Sequence, residues 1–404
     1  MSSTKRTTLA VGQKIRVTIE KVAHGGHFIA RYEGAVIFVR HAIPGEECDI
    51  EITGTGSSFN RADVVEVITA SEDRVTAPCR FAHREGCGGC DFQHISLPRQ
   101  RNLKSDVITE QFARIAKMDL QVEVEEVSAP LGWRTRCSAV TTKAGALGFY
   151  QARTHKIIPV DDCRILVPEI RYSELAQRGS KGELRIEISI SNTGERTIAT
   201  ANSRDESPLR MSDGPEIAHY TVGDNSFEVS QKSFWQSHKD APRVLTEAVL
   251  QYAQLREGDH VLDLYGGVGL FAASFLTHIG ESGSVDIVEG SKSATADASR
   301  NFAGKSNVHI YTGDVANLIT RFSSADVIVL DPPREGAGKD VIAHCAQLKP
   351  RAIVYVACDP AALARDTGYL RDAGYQLESM RAFDLFPMTH HIESVAKFVP
   401  SKVS

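Results

Sequence analysis

The sequence predicts a multidomain chain: an N-terminal OB-like β-barrel, a central α+β region carrying a cysteine cluster, and a C-terminal Rossmann-like α/β domain. Three observations lead there. Short strands separated by Gly and Pro turns fill the first 70 residues, cysteines gather in the middle, and apolar strands alternate with helical stretches after residue 224. The expected domains are 1–70, 71–223 and 224–404.

In the first region, strands are expected at 14–22, 27–32, 35–39, 47–53 and 62–68, spaced closely enough for a small closed barrel. The net charge of the chain is only −5, which by itself does not suggest nucleic acid. Across residues 1–45, however, Lys5, Arg6, Lys14, Arg16, Lys21, Arg31 and Arg40 face only Glu20 and Glu33, a local excess of five positive charges that can meet phosphate. Phe28, Tyr32 and Phe38 among those cations suit a surface on which bases stack. A plain structural barrel with the same aromatics in its core reads equally well.

The second region holds Cys79, Cys87, Cys90, Cys137 and Cys163. Its alternating segment from Leu184 to Ile190 suggests a half-exposed antiparallel sheet, and the polar stretch 191–214 reads as loops. Nothing at the N-terminus resembles a signal peptide, and no run reaches the roughly 18 apolar residues of a membrane helix. A cytoplasmic location follows as the expectation, and with it eight cysteines that are thiols, ligands or nucleophiles rather than disulfides.

In the third region, strands are expected at 260–264, 285–289, 309–311, 326–330 and 351–357, the rhythm of a doubly wound sheet. Each is followed by a functional candidate: the run Asp263 to Gly269, Glu289-Gly290, Gly313-Asp314, Asp331-Pro-Pro-Arg334 and Cys358-Asp-Pro360. Ligands bind at the carboxyl edge of such a sheet, so these groups should converge. Gly266, Gly267 and Gly269 let the backbone approach a ligand, and Glu289 can accept from two ribose hydroxyls. The glycines also fit a loose dinucleotide pattern, but Asp263 would repel a pyrophosphate and welcome the cationic end of S-adenosylmethionine.

The loop Asp331 to Arg334 lacks the aromatic residue that amino-group methylation would need beside its base. Carbon 5 of uracil is a poor nucleophile until a thiolate adds at carbon 6, so that chemistry requires a cysteine and a base. Cys358 ends an apolar strand at the binding edge, and Glu393 closes a stretch from Phe383 that contains a proline and two histidines. Cys358 is the candidate nucleophile and Glu393 the candidate base, with His390 or His391 as other possible proton acceptors. An inert buried thiol and a solvated glutamate are the bland alternatives.

These residues together resemble the RNA 5-methyluridine methyltransferases, over nearly the whole chain. The matching marks are the TRAM-like barrel, Cys79 through Cys87-Gly-Gly-Cys90 with Cys163, Phe234-Trp-Gln236, the run Asp263 to Gly269, Asp331 to Gly336, Tyr355 to Pro360 and the Phe-Pro…His-x-Glu stretch. The resemblance implies S-adenosyl-L-methionine as cofactor, Cys358 as nucleophile, Glu393 as the base removing the carbon 5 proton, and Gln236, Tyr265, Gly267, Glu289 and Asp331 in the cofactor pocket, with Asp314 facing the adenine. It also implies RNA, ribosomal or transfer, as partner, and no obligate protein partner. The chain departs from the family at Ala357, where serine is usual, and at Ala362, Met388 and Leu270. Those positions bear on substrate choice and rate.

Four thiolates from Cys79, Cys87, Cys90 and Cys163 can hold zinc or an iron-sulfur cluster; the ligand set does not separate them, and the resemblance implies [4Fe-4S]. The target uridine is expected to flip into the pocket, with Phe234 or Trp235 stacking on it. The competing functions are an RNA-binding protein without activity and a nicotinamide-dependent oxidoreductase using the cluster.

Overall fold

A computed structural model describes residues 8–180, 182–203 and 207–402; Lys5 and Arg6 of the basic stretch lie outside them. Strands β1 (Lys14–Ala23), β2 (His27–Tyr32), β3 (Ala35–Arg40), β4 (Glu47–Gly54) and β5 (Asn60–Thr69) close a barrel in the order β1-β2-β3-β5-β4. It shuts because β4 returns to β1 and β3 runs parallel to β5. Inward positions such as Ile37, Val39 and Ile50 are buried in alternation with outward ones, as a pleated wall requires. Phe28 points inward, fully buried against Phe92 with ring centroids 5.8 Å apart, so it belongs to the core and offers no face to a base. Tyr32 and Phe38 keep part of their rings exposed.

Helix α1 (Leu97–Gln111) and strand β6 (Val124–Glu126) come next. The central region is a six-stranded antiparallel sheet of β7 (Arg136–Thr141), β8 (Leu147–Tyr150), β9 (Ile157–Pro159), β10 (Leu184–Ile190), β11 (Arg196–Asn202) and β12 (Arg210–Asp213), in the order β12-β11-β10-β7-β8-β9, with α2 (Tyr172–Arg178) beside it. Strands β11 and β12 occupy much of 191–214, where loops were expected. The composition there is polar, but Thr197, Ile198 and Thr200 are β-branched and pair with β10. The hydroxyl of Thr197 meets that of Ser189 at 2.6 Å, so the polarity is satisfied inside the sheet. A hairpin, β13 (Ile217–Val222) and β14 (Asn225–Ser230), leads into the third region.

There α3 (Ala241–Ala253), β15 (His260–Leu264), α4 (Leu270–Ile279), β16 (Ser284–Glu289), α5 (Lys292–Asn301), β17 (Val308–Thr312), α6 (Val315–Leu318), β18 (Val327–Leu330), α7 (Gly338–Gln347), β19 (Ala352–Ala357), α8 (Pro360–Asp372), β20 (Tyr375–Asp384) and β21 (Glu393–Pro400) follow in turn. The sheet order is β17-β16-β15-β18-β19-β21-β20-β6. The first five strands run parallel and the chain turns back beside β15, a topological switch point. Every residue of β18 and β19 is buried, as expected when helices cover both faces.

The antiparallel extension adds to the five strands expected from the sequence. Strand β20 carries charged and polar residues along its length, so no apolar run announces it, and β6 reaches it from more than 240 residues away in sequence. Barrel, α1 and one face of the large sheet share a continuous apolar core that includes Phe28, Phe92, Leu103 and Leu363. That shared core fixes the barrel against the edge where the candidate residues gather.

Candidate active site

The nucleophile and base candidates sit at the same end of two paired strands. Ala357, last in β19, pairs with Ser394 of β21 in the final rung of the antiparallel ladder, so Cys358 and Glu393 follow at the same end of the two strands. Asp359 caps α8, accepting from the Ala361 and Ala362 amides at 2.9 Å each, with Pro360 at the first helical position. Cap and ladder together set the direction of Cys358. Burial, then Glu393 and Asp331, push its thiol up to about 12, against the pull of Arg334. Burial and Asp331 raise Glu393 well above the carboxylate range.

The thiol opens into a cavity of about 230 Å³ whose walls include His24 and Gly26 from the barrel, Lys104, Arg334 and His391. The barrel's β1–β2 turn thus forms one wall. His24 Nε2 lies 2.9 Å from the second oxygen of Asp359. Gly26 sits at φ +76°, and a Cβ there would overlap Asp91 Oδ2, which is paired with His390 Nδ1. Burial first, then His390, hold His391 down at about 3, so its ring is neutral. Lys104, fully buried, is held by Asp384 at 2.6 Å and by the Phe386 carbonyl at 3.1 Å.

The cofactor edge lies at the ends of β15, β16 and β18. Gly269 at φ +89° opens α4, and a side chain there would strike the Phe302 ring; at Gly267, φ +57°, a Cβ would meet nothing within 4 Å. The backbone at Gly267 is therefore open to a ligand. Its amide donates to Glu289 Oε2 at 3.0 Å, and the Ser291 amide donates to Oε1 at 2.6 Å. Asp263 is completely buried. One of its oxygens accepts from the Ala272 amide at 3.1 Å and the other has no partner. Burial, then Asp331 and Glu289, push Asp263 up to about 8; burial and Glu289 push Asp331 up to about 7. Three carboxylates crowd this edge, one with an oxygen that has no partner, a chemistry that suits a cation.

Tyr265, half-buried at φ +61°, shares this edge with Asp314, which is exposed and caps α6 through the Asn317 amide at 3.1 Å. Gln236 is buried, but it lines a separate cavity of about 460 Å³ between the central sheet, the β13–β14 hairpin and α3. Phe234 is 68% exposed and available for stacking. Trp235 is not: it packs in the core against Tyr220 and Phe227, with centroids 4.6 and 5.4 Å away.

Cys79, Cys87, Cys90 and Cys163 line one small cavity with Phe81, Phe149 and Ile165. Burial, then neighbouring Cys87, push Cys163 up to about 12, and burial raises Cys90 as well. Among the described residues, no group of three or more His, Cys, Asp and Glu is arranged to hold a metal ion. No helix among them is long and apolar enough to cross a membrane.

Known proteins match this architecture throughout. The TRAM domain model matches residues 9–65 and the tRNA (Uracil-5-)-methyltransferase model residues 314–398, which span Asp331, Cys358 and Glu393. A protein-L-isoaspartate O-methyltransferase model also matches 216–355, the cofactor half of the sheet. A Streptomyces avermitilis protein described as an uncharacterized RNA methyltransferase is 39% identical over 97% of this chain and 99% of its own. The chain belongs to the RNA (uracil-5-)methyltransferase family. A second such relative, from Streptomyces coelicolor, is 38% identical over 97% of this chain and 94% of its own. The fold of this methyltransferase is shared with the Pyrococcus abyssi tRNA (uracil-54, C5)-methyltransferase, solved with S-adenosyl-L-homocysteine, at a TM-score of 0.71 and 21% identity over 95% and 99% of the two chains.

Sequence reasoning missed His24, Gly26, Asp91 and Lys104 as parts of this methyltransferase's site. The glycines at 25 and 26 were visible as a turn, but only docking of the barrel shows what the turn touches. Arg334 stood in the loop after β18 without a role, and its basic character beside two acids was the available signal.

Proposed function

We propose that this methyltransferase places a methyl group on carbon 5 of a uridine in transfer or ribosomal RNA, through a covalent adduct between Cys358 and carbon 6. One observation carries the reading: a half-buried thiol in the wall of a cavity of about 230 Å³ and a buried carboxyl lie at the same end of two paired strands, within electrostatic reach of each other and of Asp331. The orphaned oxygen of Asp263 and the open backbone at Gly267 fit S-adenosylmethionine, with Glu289 toward its ribose and Asp314 toward its adenine. Bound there, the cofactor supplies a methyl sulfonium and positive charge.

Positive charge at that edge lowers both Glu393 and Cys358 from their raised values. Arg334, already drawing on Cys358, stabilises the thiolate and the enolate oxygen formed when sulfur adds to carbon 6. Carbon 5 would then take the methyl group, the methyl–sulfur bond breaking to leave S-adenosylhomocysteine as the neutral thioether. Glu393 accepts the proton left on carbon 5, the carbon–sulfur bond breaks, and the Cys358 thiolate leaves. Phe234, exposed, is free to stack on a base, whereas Gln236 lines a separate cavity and has no part in this step. The thiolates of Cys79, Cys87, Cys90 and Cys163 suit a [4Fe-4S] cluster, or zinc, on their soft donors and apolar walls, and a structural role for it is proposed.

The test incubates anaerobically purified protein with S-adenosylmethionine and unmodified transfer and ribosomal RNA transcripts, followed by digestion and mass spectrometry. 5-Methyluridine from the wild type and none from Cys358→Ala is the expected result. Equal product from both removes the covalent mechanism, and methylation at another atom removes the uridine reading. Iron, sulfide and zinc content of the same preparation identifies the occupant of the cysteine site.

A further inference from the structure

The loop that carries Arg334 is held by one buried carboxylate. Leu330 at the end of β18 pairs with Tyr355 of β19, so the loop from Asp331 onward leaves the sheet beside the strand that runs into Cys358. Its next residues form a tight turn, closed by the Gly336 amide donating to the Pro333 carbonyl at 2.8 Å, with Arg334 inside it. Arg334 lines the cavity that holds Cys358, yet its exposed side chain forms no ion pair or hydrogen bond among the described residues. The backbone of the turn is therefore what presents the guanidinium.

That backbone is clasped by Asp366, two turns into α8 and with no exposed surface. Its Oδ2 accepts from the Ala337 amide at 2.9 Å, the Gly338 amide at 3.2 Å and the Tyr355 hydroxyl at 2.7 Å. Its Oδ1 accepts from Arg365 Nε at 2.9 Å and from Nη2 at 2.7 Å, and the same Nη2 donates to the Glu335 carbonyl at 2.7 Å. Gly336 sits between them at φ +80°, where a Cβ would come within 2.7 Å of both Asp366 Oδ2 and Arg365 Nη2. Glu335, Ala337 and Gly338 are thus fastened to one acid–arginine pair immediately after Arg334.

Only a carboxylate satisfies all of these partners. It accepts without donating, and its two oxygens offer about four lone-pair sites, all of them taken up here. An amide in its place would turn an N–H group toward either Arg365 or the loop amides, leaving a buried donor without a partner. Tyr355 stands three residues before Cys358, and Asp366 stands on the helix that begins just after it, capped by Asp359. The clasp ties the loop carrying Arg334 to the strand and the helix on either side of the thiol.

We infer that Asp366 is a positioning residue for the reaction: through Glu335, Ala337 and Gly338 it fixes the turn that holds the Arg334 guanidinium toward Cys358, and so sets the reactivity of that sulfur. This rests on the proposed role of Arg334 at Cys358. The Arg334 charge draws on the thiol against burial and the acids around it, so its effect depends on where the turn holds it.

The test measures the rate at which iodoacetamide alkylates Cys358 in the whole protein at several pH values, read by mass spectrometry of its peptide, with kcat and KM for the transcript that the protein methylates. Arg334→Gln is expected to slow alkylation about threefold, because a thiol raised by about one pH unit has roughly tenfold less thiolate, each about threefold more nucleophilic. Asp366→Asn should slow it by about as much and lower kcat about 10- to 100-fold, with KM for RNA within about twofold. In Arg334→Gln/Asp366→Asn the alkylation rate should match that of Arg334→Gln alone, because an acid that acts through Arg334 then has nothing left to position. Gly336→Ala pushes the turn off the clasp from the other side; it should give the same slowing, and it decides the matter if Asp366→Asn fails to fold, as judged by S-adenosylhomocysteine binding. A lowered melting temperature with unaltered alkylation and kcat makes Asp366 a purely structural residue and overturns the inference. Unslowed alkylation in Arg334→Gln overturns it too, as does a double variant in which the two single effects multiply. Each of those results leaves the uridine reading standing. Matching rates in the single and double variants, with no 5-methyluridine from the wild type, support the clasp and overturn the uridine reading instead.

Discussion

The cofactor edge and the seam between the barrel and the central region, lined by Arg40, Arg61, Arg84, Arg153 and Lys156 against Asp63 and Glu85, carry opposite charges. At the edge, Asp263, Glu289 and Asp331 crowd together, and two of them are pushed toward neutrality by burial and by each other. At the seam, arginines crowd together, and Arg153 is pulled below the usual arginine range by burial, then by Arg61 and Arg40. Each region gathers charge of one sign, and each would favour a ligand of the opposite sign. The net charge of −5 averages over both and so conceals both. Local charge, placed by the fold, is the better guide to the ligand.

The largest effects should come from the reacting pair. Cys358→Ala is expected to lower methyl transfer on the order of 10⁴-fold or more while RNA affinity is kept. Glu393→Gln should lower turnover by roughly 10²–10⁴-fold and also trap the adduct, seen as an RNA–protein complex that survives denaturing electrophoresis. Absence of that complex, with activity lost, would assign Glu393 a different task.

On the acidic side, Asp263→Asn should weaken S-adenosylhomocysteine binding by about 100-fold, because a buried charge then loses its partner. The same change should raise the melting temperature of the ligand-free protein by a few degrees. The sign follows from the raised value. A carboxyl pushed up on folding contributes stability that is fully present below its unfolded range and is lost as pH rises through about 7–8 for Asp331 and Asp263. Cofactor affinity should run the other way, weakening as pH falls through that window, because a cation binds the carboxylate and not the acid. Calorimetric titration at several pH values measures both trends, and a pH-independent affinity would mean these acids do not face the cationic end.

Smaller effects should follow from loosening the β1–β2 turn. Gly26→Ala adds a side chain at positive φ against Asp91, and should lower turnover by about 10- to 100-fold with cofactor affinity unchanged. His24→Ala removes a partly exposed partner of Asp359 and should cost about threefold in kcat/KM. If both variants retain full activity, the barrel serves RNA binding alone and does not shape the catalytic cavity.

Much of this was legible in the chain itself. Periodicity and turns gave the five barrel strands and the five parallel strands to within a residue or two, because inward and outward positions alternate locally. Strand β20 was hidden because its charged residues are satisfied by partners remote in sequence, as Arg381 is by Glu125 at 2.7 Å. Phe28 and Trp235 illustrate the converse. An aromatic residue near cations or in a motif looks the same in sequence whether it faces solvent or the core.

By itself, the sequence determined which chemistry was present: an acid, glycines, a second acid and a cysteine, each just past an apolar strand, where backbone geometry delivers side chains to one edge. Only the tertiary structure decided that the barrel turn forms a wall of the cavity holding Cys358, that Glu393 lies within electrostatic reach of that cysteine, and that basic residues from three separate segments share one seam. Those relations join residues tens to hundreds of positions apart. They depend on how surfaces pack and which charges end up near one another, and no local pattern encodes that.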